Sequence, residues 1–235
     1  MCKVCKDSGW VSADVDYGHP QFGKLIRCEC KAREDAERLN RLSGLTETER
    51  KTRLDDIVTN GLEATAAMVI ACQRFINNPR GIVTIYGGPG NGKTMALQAC
   101  VNAMLNKNVE AVYVTAFDLL AHIREAFTLD RTTRLLNVND ENAYARLRRF
   151  ERVQVLAIDE LDKVKVTDWV LEQLTDLIDR RYRMAEDGKG GTLIAMNSSV
   201  DLQPSWIASR LKRFTVVHNA DDDMRPELSQ YEMQL

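Results

Sequence analysis

Apolar positions along the chain fall into two periods. Ile82 to Tyr86, Ala111 to Thr115, Val153 to Ile158 and Thr192 to Met196 are short, nearly continuous apolar runs rich in β-branched residues, and they predict buried strands. Leu62 to Phe75, the stretch opening Met95-Ala96-Leu97-Gln98-Ala99-Cys100, Ala116 to Phe127 and Thr167 to Met184 repeat their apolar residues every three or four positions, and they predict helices. Strands that are apolar throughout, alternating with helices, predict an α/β fold: a parallel sheet with helices on both faces.

Upstream the pattern is weaker. Lys31 to about Ser43 is charged and free of proline, with Ala36, Leu39 and Leu42 three apart, which predicts an exposed helix serving as linker or docking surface. Thr46 and Glu49 stand at capping-box spacing ahead of Leu54, Ile57 and Val58, and Asn77-Asn78-Pro79-Arg80-Gly81 ends the next helix. Thr128 to Glu151 is polar, lacks a strand pattern and is expected to protrude from the sheet. A length of 235 residues suits one well-buried domain plus a small appendage, divided here into residues 1–44 and 45–235.

Composition narrows the setting. No apolar stretch is long enough to cross a bilayer, and the opening Met-Cys-Lys-Val-Cys-Lys-Asp has no apolar signal core. A reducing, cytoplasmic location is therefore expected, and the six cysteines are not read as disulfides. With a net charge of −2, any contact with nucleic acid must come from a local patch; Arg124, Arg131, Arg134, Arg146, Arg148 and Arg149 are the candidates.

The chemistry is concentrated in three places. Gly87-Gly88-Pro89-Gly90-Asn91-Gly92-Lys93-Thr94 lies between the first long strand and a helix, the context of a phosphate-binding loop. Its glycines allow backbone N–H groups to surround the phosphates of ATP, Lys93 can meet the β and γ oxygens, and the Thr94 hydroxyl can ligate Mg²⁺. A second strand ends in Asp159-Glu160, which offers a further carboxylate for Mg²⁺ at Asp159 and a base for water at Glu160. The implied reaction is ATP hydrolysis. Finally, Cys2-x-x-Cys5 and Cys28-x-Cys30 flank a glycine-containing polar stretch, as expected of a knuckle binding one structural Zn²⁺ through four thiolates. His19 is a possible substitute ligand but is more simply an exposed loop residue, and Cys72 and Cys100 fall on apolar helix faces as core residues.

The phosphate loop, Tyr113-Val114-Thr115-Ala116-Phe117-Asp118-Leu119-Leu120 and Leu156-Ala157-Ile158-Asp159-Glu160-Leu161, in that order, resemble the AAA+ ATPases of the DnaC type. That family includes bacterial and phage replicative-helicase loaders and the IstB-type ATP-binding proteins of transposons. The resemblance runs from about Leu45 to Val217 and extends to the cysteine head. It implies that Asn197 is a sensor of the γ-phosphate. It also implies that Arg210, in Ile207-Ala208-Ser209-Arg210-Leu211, is an arginine finger acting on a neighbouring subunit in a head-to-tail assembly, with Arg213 as alternative. Only 18 residues follow Val217, too few for the family's helical lid, so Arg225 is the remaining candidate to reach the nucleotide from the tail. The implied function is an ATP-dependent helicase loader of DNA replication that binds single-stranded DNA and delivers a replicative helicase. The alternatives are an IstB-like ATPase that remodels target DNA and a nucleotide-switched adaptor with little turnover.

Overall fold

The computed structural model describes residues 2–13, 15–20, 22–125, 148–165 and 167–225. It opens with a hairpin of β1 (Trp10–Ser12) and β2 (Leu25–Arg27), followed by helix α1 (Glu29–Leu42). Helix α2 (Glu63–Asn77) leads into β3 (Gly81–Gly87), α3 (Lys93–Asn106), β4 (Ala111–Thr115) and a helical segment at 116–125. After a second helical stretch at 148–152 come β5 (Val155–Asp159), α4 (Asp168–Glu186), β6 (Gly191–Met196), α5 (Ser205–Leu211) and β7 (Thr215–Asn219).

Strands β3 to β7 form one parallel sheet in the order β4-β5-β6-β3-β7. Because side chains alternate along a strand, each strand feeds two cores. Val83, Ile85, Tyr113, Ala157 and Leu193 pack with Met68, Cys72, Leu97 and Cys100 of α2 and α3. Ile82, Val114, Ile158, Ile194 and Met196 pack on the other face with Leu119, Leu174, Ile178, Ile207 and Leu211. The expected parallel sheet with helices on both faces is present, with Cys72 and Cys100 in its core.

The sheet departs from the sequence expectation at the start of one strand and by one added strand. The strand expected at Val153 begins at Val155, because Val153 still donates its N–H to the Arg149 carbonyl at the end of the helical stretch 148–152. The four expected strands are joined by a fifth, β7. It lies at the sheet edge beside β3, and only its last residue, Asn219, is buried, so it carries no apolar pattern to recognise.

Helix α1 is less exposed than expected at its C-terminal end, where Leu39 is buried in the α2/α3 core. Beyond it the Ser43 carbonyl accepts the Tyr113 N–H at 2.7 Å, which fastens the linker to edge strand β4. Gly44 has φ +79°, and a Cβ there would stand 2.1 Å from the Tyr113 carbonyl oxygen, so this crossing requires glycine. The Thr46–Glu49 box closes reciprocally: Thr46 N–H donates to Glu49 Oε2 at 2.8 Å, and Glu49 N–H to Thr46 Oγ1 at 3.3 Å.

Arg181 of α4 is only 2% exposed. Its Nη1 donates to the Val153 carbonyl and its Nη2 to the Gly191 carbonyl, each at 2.5 Å, while Nε donates to Thr192 Oγ1 at 3.0 Å. The guanidinium thereby pins the helix to the N-terminal ends of β5 and β6. Among the described residues no helix is long and apolar enough to cross a membrane.

Candidate nucleotide site and cysteine cluster

A cavity of about 480 Å³ opens where the C-terminal ends of the strands meet the N-terminus of α3. This is the crevice in which open α/β sheets bind ligands. Pro89 to Thr94, Asp159, Glu160, Asn197 and Arg225 all line it. Residues far apart in sequence, expected to share a site, do share one.

The loop is shaped by close packing. Gly87 has φ +150°, and a Cβ there would meet the Asn219 carbonyl oxygen at 1.9 Å. Gly92, at φ +82°, turns the chain into α3, whose free N–H groups and dipole face the cavity and favour an anion. Lys93 is buried, and its Nζ donates to the Gly87 carbonyl and to Asn91 Oδ1, each at 2.9 Å, and to the Gly88 carbonyl. Burial pulls this ammonium below its ordinary pKa, partly offset by Asp159 and Asp162.

Asn91 is fixed in turn by Asn219. Asn91 Nδ2 donates to the Asn219 carbonyl at 2.8 Å, and Asn219 Nδ2 donates to the Asn91 carbonyl at 2.9 Å and to Thr65 Oγ1 at 3.2 Å. The following tail crosses the loop: Met224 N–H donates to the Gly90 carbonyl at 3.1 Å, and Asp223 lies against Gly90. Arg225 lines the cavity while paired with Asp223, whose carboxyl it holds down at about 2.

Asp159 is buried at the end of β5. Its Oδ2 accepts the Tyr113 hydroxyl at 2.9 Å and its Oδ1 the Glu160 N–H at 2.8 Å. Burial and the Asp159 charge push the Tyr113 phenol well above its usual pKa, so it remains a donor. Glu160 has φ +57°, a left-handed conformation that costs a non-glycine residue about 1–3 kcal/mol and recurs at functional sites. Its Oε1 pairs with Lys163 Nζ at 2.5 Å. Asp162 accepts the N–H groups of Asn197 at 3.0 Å and Ser198 at 2.6 Å. These bonds outweigh burial and hold its carboxyl below the usual range.

The hard oxygens of Thr94 and Asp159 in one cavity suit Mg²⁺, and the glycine cradle suits phosphates. Ile57, Val58, Met95 and Met224 supply apolar walls fit for a base. Of these supporting residues, Asp162, Lys163 and Asn219 gave no sequence signal, because each acts through a fold contact rather than a motif spacing.

In the N-terminal segment the Sγ atoms of Cys2, Cys5, Cys28 and Cys30 lie within 4.8 Å of one another, so the cluster could hold a metal ion. A tetrahedral Zn–S₄ site with bonds of about 2.3 Å has sulfur separations of about 3.8 Å. Cys2–Cys28 at 3.8 Å and Cys5–Cys30 at 3.4 Å are close to that. The Cys5 and Val4 N–H groups bring the Cys2 thiol down to about 6, while neighbouring sulfurs and burial raise Cys30. Gly9 N–H adds a bond to Cys5 Sγ at 3.4 Å. His19 is exposed and is not part of the cluster.

Arg210 lies apart from the nucleotide cavity. It pairs with Asp179, donates from Nη1 to the Trp206 carbonyl at 2.8 Å, and borders a separate 390 Å³ cavity with Tyr182 and Glu186. Arg213 pairs with Glu186 at 3.4 Å. Of the basic candidates, Arg124 stacks over Trp169 at 5.4 Å, Arg149 pairs with Glu110 at 3.2 Å and Arg148 is exposed. Arg131, Arg134 and Arg146 lie outside the described residues.

Two Bacillus subtilis (strain 168) proteins are similar to this chain. The uncharacterized protein YqaM is 27% identical over 169 residues, 66% of this chain and 50% of YqaM. The phage-like element PBSX protein XkdC is 26% identical over 197 residues, 77% of this chain and 67% of XkdC. Among solved structures, the DnaC helicase loader superposes with TM-score 0.54 at 20% identity, covering 74% of this chain and 99% of that one. DnaI gives 0.58 at 15%, covering 75% and 95%. The replication initiator DnaA bound to AMPPCP and single-stranded DNA gives 0.59 at 17%, covering 73% and 50%. The chain thus spans about half the length of YqaM and of that DnaA, and what it shares with the three solved structures is a fold. A family model described as AAA domain matches residues 76–199, which is more than half of the chain and takes in strands β3 to β6, the phosphate loop and Asp159-Glu160, and the chain belongs to that family.

Proposed function

We propose that this protein is an ATP-dependent helicase loader of DNA replication, which holds single-stranded DNA and delivers a replicative helicase in the cytoplasm. The observation that carries the reading is the single cavity combining Lys93, Thr94, Asp159, Glu160 and Asn197. It is supported by the similarity to the DnaC helicase loader and DnaI over nearly their whole length, and to a DnaA whose structure contains single-stranded DNA.

In this reading Lys93 leaves the loop carbonyls for the β and γ oxygens, and the N-terminal amides of α3 hold the phosphates. Thr94 and Asp159 would hold Mg²⁺, which when bound would supply neutralisation of phosphate charge. Glu160 accepts the proton of the attacking water, and Asn197, held by Asp162, contacts the γ-phosphate. Arg210 exchanges Asp179 for a neighbouring subunit's nucleotide, which makes the assembly head-to-tail. The Lys163–Glu160 pair favours the second reading, a nucleotide-switched adaptor, because the base is engaged until that contact opens.

The test is ATPase activity with single-stranded DNA, duplex DNA or a cognate replicative helicase, with assembly followed by light scattering. Stimulation by helicase and single strands supports the loader. Stimulation by duplex alone supports target-DNA remodelling, and tight binding without turnover supports the adaptor.

The cysteine cluster is proposed to hold structural Zn²⁺ as part of the helicase-docking surface. We expect one zinc per chain by elemental analysis. Cys5→Ser should lose it and expose residues 2–30 to protease, with nucleotide binding retained. Metal-free wild-type protein with an equally protected head would overturn the assignment.

A further inference from the structure

Asp159 receives one hydrogen bond on each carboxylate oxygen among the described residues, from the Glu160 N–H and from the Tyr113 hydroxyl. The main-chain donor is built into the strand end. The side-chain donor arrives from the neighbouring strand along a diagonal: the register partner of Asp159 is Thr115, and Tyr113 stands two residues earlier on the same face, beside Ala157. A tyrosine ring is long enough to span that diagonal, which valine or threonine is not.

Tyr113 is itself fixed from three sides. Its N–H is bonded to the Ser43 carbonyl at 2.7 Å, its carbonyl lies against Gly44, and its phenol stands beside Gln98, which Glu49 holds at 2.8 Å. Rotation of the Asp159 carboxylate about its Cβ–Cγ bond breaks both of its hydrogen bonds, so a rigidly held phenol fixes the plane in which the carboxylate presents its remaining lone pairs.

We propose that Tyr113 is a positioning residue for the divalent cation of the nucleotide site: it orients the Asp159 carboxylate and anchors it to the linker that leaves the cysteine head. This rests on the reading of Asp159 as the carboxylate facing Mg²⁺. Outer-shell partners of metal ligands are typically worth about 10–100-fold in metal affinity.

The experiment titrates Mn²⁺ into the protein–ADP complex and follows free Mn²⁺ by EPR, comparing wild type, Tyr113→Phe and Asp159→Asn. ADP binding in EDTA serves as the check of the fold. Tyr113→Phe retains the buried ring and is expected to weaken Mn²⁺ about tenfold, with metal-free ADP binding retained. A Mn²⁺ titration superimposable on wild type would reduce Tyr113 to a packing residue and overturn the proposal. If Asp159→Asn also binds Mn²⁺ like wild type, the reading of Asp159 fails instead. If Tyr113→Phe loses ADP binding in EDTA as well, the hydroxyl maintains the fold of the site rather than the metal, and the proposal is equally overturned.

Discussion

Replacing Lys93 with alanine is expected to lower ATP turnover by about 10²–10³-fold, the size of effect seen when one preorganised donor to a developing charge is deleted. Its ammonium sits among the carbonyls of Gly87 and Gly88 and the Asn91 carboxamide, within reach of the anion-favouring end of α3. No hydrated cation can take its place, because the position is buried. Nucleotide affinity should fall by less, about 10–100-fold for the loss of a charge-assisted hydrogen bond. Phosphate release under saturating ATP and titration with a fluorescent ADP separate the two effects. Wild-type turnover in the alanine variant would place hydrolysis elsewhere in the molecule.

The largest effect on stability is expected from Arg181→Ala. Burial pushes this guanidinium down to about 10, and it still remains charged at neutral pH. Among the described residues no carboxylate pairs with it; its charge is solvated by the Val153 and Gly191 carbonyls and the Thr192 hydroxyl. Truncation leaves those acceptors facing a cavity, a loss of about 3–5 kcal/mol. For a domain of this size that is a fall in Tm on the order of 10 °C. Arg181→Lys should rescue little, since one ammonium cannot bridge two strand ends in the way a planar fork does. Thermal and urea melts measure this, and a variant within about 1 kcal/mol of wild type would mean that water satisfies the carbonyls.

What could be read from the sequence divides along physical lines. The phosphate loop was legible because glycines at fixed spacing between a strand and a helix, followed by Lys-Thr, suit little besides a cradle for phosphates. Asp159-Glu160 was legible because an acidic pair ends an apolar run. Four strands were legible because both of their faces are buried. Strand β7 was not, since Thr215, Val216 and His218 are exposed and leave no alternation. Arg181 resembles any charged residue of a polar helix until the fold closes over it. The convergence of four cysteine sulfurs followed from their spacing, whereas the role of Asn219 could not, since nothing in a strand-ending asparagine announces a partner 128 residues away.

That separation bears on the order in which the molecule is made. The Gly87–Thr94 segment leaves the ribosome long before β7, yet the Asn219 main chain packs against Gly87 and its amide group clasps Asn91. A nascent chain that has not reached residue 219 carries the complete motif without the partner that shapes it. On the proposed function, a chain cut before residue 219 is therefore expected to bind nucleotide more weakly than the whole chain, although it carries every residue of the loop.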